Sequence, residues 1–102
     1  MSYKLRFVQQ FVQKDIKEYL ALEKEFEKFE KRHPDAPQGR RYLACSGRDA
    51  SNTLIWECDF ETLEATQKAQ AFFLTNTEHE DLFQQQSQYI LCTYTEVYRP
   101  LD

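Results

Sequence analysis

Two histidines, one tryptophan and a few charges set among apolar residues are the groups in this 102-residue chain with chemistry to offer. His79 stands between Glu78 and Glu80. Flanking carboxylates raise an imidazole's pKa and suit it to acid–base work near neutrality. The simpler expectation is an exposed residue in the first turn of a helix, capping or packing locally. His79-Glu80 also opens the zinc pattern His-Glu-x-x-His, but Phe83 takes the place of the second ligand and the motif fails. His33, beside Pro34, reads as a solvated residue at a helix end. Histidines so far apart define no metal site, and no metal is expected.

Trp56 can wall a pocket for a flat apolar ligand, or serve simply as core. Arg6, Arg41, Glu57 and Glu96 are charges inside strand-like segments, where a charge costs energy unless it is exposed, paired or functional. If Arg6 and Glu57 share one face of a sheet, they pair there and can orient a polar ligand group; the simpler expectation is an ion pair that fixes the register of a dimer. Tyr94 and Tyr98 can donate hydrogen bonds in a pocket, but alternating tyrosines on a half-buried strand also serve packing alone.

The elements that must hold these residues follow from periodicity. Leu5 to Val12 alternates, with Leu5, Phe7 and Phe11 on one face and Arg6, Val8, Gln10 and Val12 on the other. From Lys14 to Lys31 the apolar residues Ile16, Tyr19, Leu20, Leu22, Phe26 and Phe29 recur at helical steps, and Pro34 and Pro37 forbid continuation. Asp15 is placed to cap this helix or complement its dipole. A strand from about Arg40 to Ser46 leads through a turn-rich stretch, Gly47 to Asn52, into a third strand, Thr53 to Phe60. Thr62 is placed to cap a second helix that pauses at Thr75-Asn76. It restarts at Thr77-Glu78-His79-Glu80, which fits a capping box. Ile90 to Tyr98 alternates again and stops at Pro100.

The order strand, helix, strand, strand, helix, strand specifies an α+β fold of the ferredoxin-like type: a four-stranded antiparallel sheet with both helices on one face, in one domain over residues 1–102. The other face is then too apolar. Whichever set of side chains meets the helices, Val8, Val12, Ile55 and either Tyr94 with Tyr98 or Leu91 with Val97 are left over. A patch that wide exceeds what monomers usually expose, so a second copy is expected to cover it, sheet against sheet, as an α/β barrel.

Composition narrows the function. Thirteen Lys and Arg against seventeen Asp and Glu give a formal charge of −4, with both signs interleaved, which argues against nucleic acid. No apolar run reaches membrane-spanning length, and the first residues lack the apolar stretch of a signal peptide. Two glycines leave no glycine-rich phosphate loop. Cys45, Cys58 and Cys92 are odd in number, widely spaced and set in strand-like segments, so they are expected to be reduced and buried in a cytoplasmic protein. No cofactor is expected.

Three segments carry a family resemblance: Asn52 through Ala65, Thr77-Glu78-His79-Glu80-Asp81-Leu82, and Tyr94-Thr95-Glu96-Val97-Tyr98. A strand turning through acidic and aromatic residues into a helix, a late Glu-His pair before a Leu, and a closing aromatic strand resemble the dimeric α/β-barrel superfamily, in its antibiotic-biosynthesis monooxygenase-like and NIPSNAP-like branches. The resemblance implies a homodimer with a pocket. Haem-degrading relatives resemble one another in a first-strand Asn with a Trp and a His near the second helix. Here the strand carries Gln9 and Gln10, and Trp56 lies in the third strand. Two functions follow as expectations. One is a cofactor-independent monooxygenase-like enzyme on an aromatic phenol or quinol, with His79 or Tyr94 as the polar participant and Trp56, Glu57, Arg6 and Glu96 lining the pocket or barrel. The other is a non-enzymatic interaction module whose dimer is its product.

Overall fold

A computed structural model describes residues 2–101. Tyr3–Phe11 form strand β1, and a single 3-10 turn, Gln13–Asp15, leads into helix α1, Ile16–Arg32. Strand β2, Arg40–Leu43, and strand β3, Thr53–Phe60, precede helices α2, Leu63–Thr75, and α3, Thr77–Ser87, and strand β4, Ile90–Tyr98, closes the sheet. The four strands run in the order β2-β3-β1-β4, all neighbours antiparallel. This is the expected ferredoxin-like α+β arrangement, with the second helical region divided into α2 and α3 at the expected pause.

The register decides which residues share a face. Leu5 pairs with Cys58, Phe7 with Trp56 and Gln9 with Leu54, so the helix side of the two central strands is continuous and mostly apolar. It holds two buried clusters. Leu5, Trp56, Cys58, Ala69 and Phe73 form one, and Phe11, Tyr19 and Leu54 form the other. Both arise because period-two apolar residues on β1 and β3 meet the period-3.6 stripes of α1 and α2.

Several local expectations are corrected. Val12 leaves the strand, its N–H donating to the Tyr89 carbonyl at 2.8 Å. Asp15 occupies the cap position of α1 without a side-chain hydrogen bond. Strand β2 ends at Leu43, and the chain turns through Gly47, whose φ of 130° suits a residue without a side chain. Thr62 does cap α2, accepting from the Ala65 N–H at 3.0 Å. Asn76, rather than Thr77, caps α3: its Oδ1 accepts from the His79 N–H at 3.0 Å. Of the cysteines only Cys58 is buried; Cys45 lies beyond β2, and both it and Cys92 are exposed. Among the described residues no helix is long and apolar enough to cross a membrane.

Candidate functional site

Between the sheet and the helices lies a cavity of about 350 Å³. Phe7 and Trp56 from the sheet, Phe26 from α1 and Phe73 from α2 supply aromatic walls, and His79, Phe83 and Gln86 line it from one face of α3. Those three are spaced by four and three residues, the step that keeps side chains on one side of a helix. The aromatic wall is well packed: Phe7 stacks on Trp56 with centroids 5.1 Å apart, and Phe73 meets Trp56 edge-on at 5.6 Å. At the edge of the cavity stand the exposed residues Leu74, Glu80, Thr93 and Thr95.

His79 is half-buried, not an exposed cap. Its ring lies 4.7 Å from Phe73, 5.0 Å from Phe26 and 5.9 Å from Phe29, centroid to centroid. Burial in this aromatic setting lowers its pKa, with Glu80 and the Phe73 backbone acting in the opposite direction and losing. The shift is therefore opposite to the one expected from the flanking carboxylates, because Glu78 turns elsewhere. Glu78 accepts from Arg32 and lies 3.0 Å from His33 Nε2, clasping the end of α1 to the start of α3. His33 sits in that clasp with its ring 4.4 Å from Phe29. At neutral pH His79 is an uncharged imidazole beside an aromatic cavity.

A buried polar corner forms the other side. Arg41, on the helix face of β2, donates through Nε to Glu23 Oε2 at 2.6 Å and through both terminal nitrogens to the two oxygens of Glu30. The Trp56 indole N–H donates to Glu30 Oε1 at 3.3 Å, and Gln86 Nε2 donates to Glu23 Oε1 at 2.8 Å. Glu23, Glu30 and Gln86 are all buried. Nearby, the Tyr19 hydroxyl donates to Gln9 Oε1 at 2.6 Å; burial first and the Glu23 charge second push its pKa up, so it stays a neutral donor.

The remaining candidates lie on the opposite, helix-free face. Arg6 Nη1 reaches Glu96 Oε1 and the Tyr98 hydroxyl, each at 3.2 Å, and Arg6 Nε is 3.4 Å from Glu57 Oε2, an ion pair without hydrogen-bond geometry. Lys4 joins Glu57 at 3.2 Å and Asp59 at 3.6 Å, and Arg40 joins Asp59 at 3.2 Å. Arg6 and Glu57 thus share the face without helices, a network in which three cations meet three carboxylates. Tyr94 is on this face too, its hydroxyl donating to Asp49 Oδ1 at 2.9 Å. The sheet therefore separates Tyr94 from His79, and Glu57, Arg6 and Glu96 from Trp56. Cys58 offers no nucleophile, since burial raises its thiol pKa.

Sequence reading overlooked Glu23, Glu30 and Gln86. A signal was present. Tyr19, Glu23, Phe26 and Glu30 stand at steps of four, three and four, so two carboxylates occupy the buried stripe of α1. Arg41, noted only as a strand charge in want of a partner, is the partner they share. Gln86 sits inside a glutamine-rich run and carries no comparable signal.

No protein-family model matches this chain, and no curated protein matches it in sequence. Solved structures do match in shape. A NIPSNAP family protein from Agrobacterium tumefaciens superposes with a TM-score of 0.77 at 12% identity, covering 99% of this chain and 87% of that one. An uncharacterised NIPSNAP domain protein from Burkholderia xenovorans gives 0.77 at 11% identity, over 99% and 95% of the two chains. An antibiotic biosynthesis monooxygenase gives 0.75 at 8% identity, over 98% and 99%. At such identities the likeness shows the fold, which this chain shares with both groups.

Proposed function

We propose that this protein is a cytoplasmic homodimer whose subunit cavity binds a small aromatic hydroxyl compound, a phenol or quinol. One observation carries the reading: His79, held neutral by burial, lines an aromatic cavity of about 350 Å³ beside an unpartnered buried acceptor, Gln86 Oε1. A cavity of that size falls in the range of small-molecule sites. Neutral imidazole is the form that accepts a proton, so His79 is the base for a phenolic hydroxyl, with Trp56 as a wall. The structural likeness to an antibiotic biosynthesis monooxygenase supports cofactor-independent oxygenation as the reaction. In such a reaction the deprotonated quinol is electron-rich enough to react with oxygen: one oxygen atom forms a new carbon–oxygen bond on the ring, the ring is oxidised to the quinone, and the electrons it gives up release the second oxygen atom as water. Oxygen uptake with a quinol panel tests this: consumption above buffer, lost in His79→Ala, is expected, and no consumption with any quinol removes the oxygenase reading. The unpaired cysteines fit a reducing compartment.

The dimer reading rests on the helix-free face. Its ion pairs balance in charge, and Tyr42, Tyr94 and Tyr98 stand exposed on or beside them. A neutral, tyrosine-bearing sheet suits self-association, in which each copy meets the same surface. The same face supports a second reading, a non-enzymatic interaction module, which expects no ligand to raise the melting temperature.

A further inference from the structure

Three side chains of the polar corner direct their donors to carboxylates. Arg41 serves Glu23 and Glu30, the Trp56 indole serves Glu30, and the Gln86 amide nitrogen serves Glu23. An ionised carboxylate only accepts, so the Gln86 amide must turn its nitrogen toward Glu23. Its oxygen is then left over. Gln86 is 0% exposed and its Oε1 has no hydrogen-bond partner among the described residues, a costly arrangement until something donates to it. Two carboxylates against one guanidinium leave a formal charge of −1 in the corner, and among the described residues Arg41 is the sole Lys or Arg lining the cavity. The walls add Phe7, Phe26, Trp56 and Phe73, whose ring faces attract cations.

The geometry points to a ligand that brings both the missing donor and the missing positive charge: a phenol bearing a protonated amine on a short arm, its ammonium beside Gln86 Oε1 and Glu23. This rests on the reading of the cavity as a site for an aromatic hydroxyl compound and names the class of that compound. Length agrees with it. His79 and Gln86 are seven residues apart on α3, so their backbone positions are separated by about 10 Å along the axis. A phenol with a two-carbon amine arm bridges side chains at those positions, its hydroxyl toward His79. A carboxylate or phosphate at the same place would face Glu23 with no free cation beside it.

Titration calorimetry and melting curves at pH 7.5 with three matched probes test the assignment: tyramine, its neutral alcohol analogue 4-(2-hydroxyethyl)phenol, and the anionic 3-(4-hydroxyphenyl)propionate. Tyramine is expected to bind at least about tenfold more tightly than the alcohol, with the propionate weakest, and Gln86→Leu should narrow the gap between tyramine and the alcohol, leaving the part owed to the Glu23 charge; an unchanged gap overturns the role of Gln86. Equal or tighter binding of the alcohol or the propionate overturns the amine assignment and leaves the phenol reading standing. If none of the three, nor hydroquinone, binds or raises the melting temperature, both fall. Should Gln86→Leu fail to fold, the order of the three probes on the unaltered protein decides.

Discussion

Arg41 and Glu30 meet fork to fork beneath the cavity, each terminal guanidinium nitrogen on one carboxylate oxygen, while the Nε–H of the same Arg41 goes to Glu23. The three residues tie β2 to α1, and Trp56 joins β3 to them through Glu30. Arg41→Met leaves two buried carboxylates without their cation, and a loss of about 3–5 kcal/mol in denaturant unfolding is expected. Arg41→Lys should restore only part of it, because an ammonium cannot make the planar two-bond contact. Wild-type stability in Arg41→Met would show that the corner is not an energetic unit.

Gly39 lies against the Trp56 indole so closely that an added Cβ would stand 2.0 Å from the ring. The ring cannot easily yield, being stacked on Phe7 and bonded to Glu30. Gly39→Ala should cost about 1–3 kcal/mol, as overpacking does. Since Trp56 is the single tryptophan, its fluorescence should shift in the same variant.

Half-buried His79 makes stability depend on pH in one direction. Its folded pKa lies below the ordinary value of 6.5, so on acidification the unfolded chain takes up this proton before the native one does. The unfolded state then binds more protons, and stability falls as pH drops below about 6.5 while being fully present above it. His79→Phe keeps an aromatic ring among Phe26, Phe29 and Phe73 and removes the titration. Unfolding midpoints between pH 7.5 and 5.5 should decline less steeply in that variant than in the wild type.

Asn76 holds the amino end of the helix that carries His79. Asn76→Ala should lower stability by about 1 kcal/mol, the usual cost of a lost helix cap. Hydrogen exchange at the first turn of α3 should quicken more than exchange in β1.

Sedimentation velocity at micromolar concentration should find a dimer, and Tyr42→Glu should shift it to monomer. Tyr42 is 48% exposed on the edge strand β2, so the substitution leaves the subunit folded. Val8 is unsuitable for this purpose although it points to the helix-free side. It is 1% exposed, set between Ile55 and Tyr94 and lining a small hollow with the loop residues Asp49 and Ala50. Val8→Asp should therefore unfold the subunit, not merely separate two of them. A monomeric wild type would remove the dimer reading.

Much of the architecture was legible in the chain because its signals are local. Alternation in Leu5–Phe11 and Thr53–Phe60, the helical stripe from Ile16 to Phe29, and the pause at Thr75-Asn76 each reflect neighbours a few residues apart. The cap of α3 was misplaced by one residue because Asn76 and Thr77 are both competent caps, and only the backbone path selects between them. His79 was misread for a deeper reason. Its sequence neighbours are carboxylates, but its spatial neighbours are Phe26, Phe29 and Phe73 from two other helices, and burial outweighs the charge beside it.

By itself, then, the sequence determined the order and type of the elements, since periodicity is a property of the chain. Tertiary structure alone decided which residues form the site. Register put Arg41 opposite Trp56 on the helix side and Arg6 opposite Glu57 on the other, and packing of α1 on α3 brought Glu23 to Gln86 across 63 residues of sequence. Partners so distant leave no periodic trace. The cavity corner exists only because the antiparallel pairing turns each strand residue to a fixed face and the helices close over one of them.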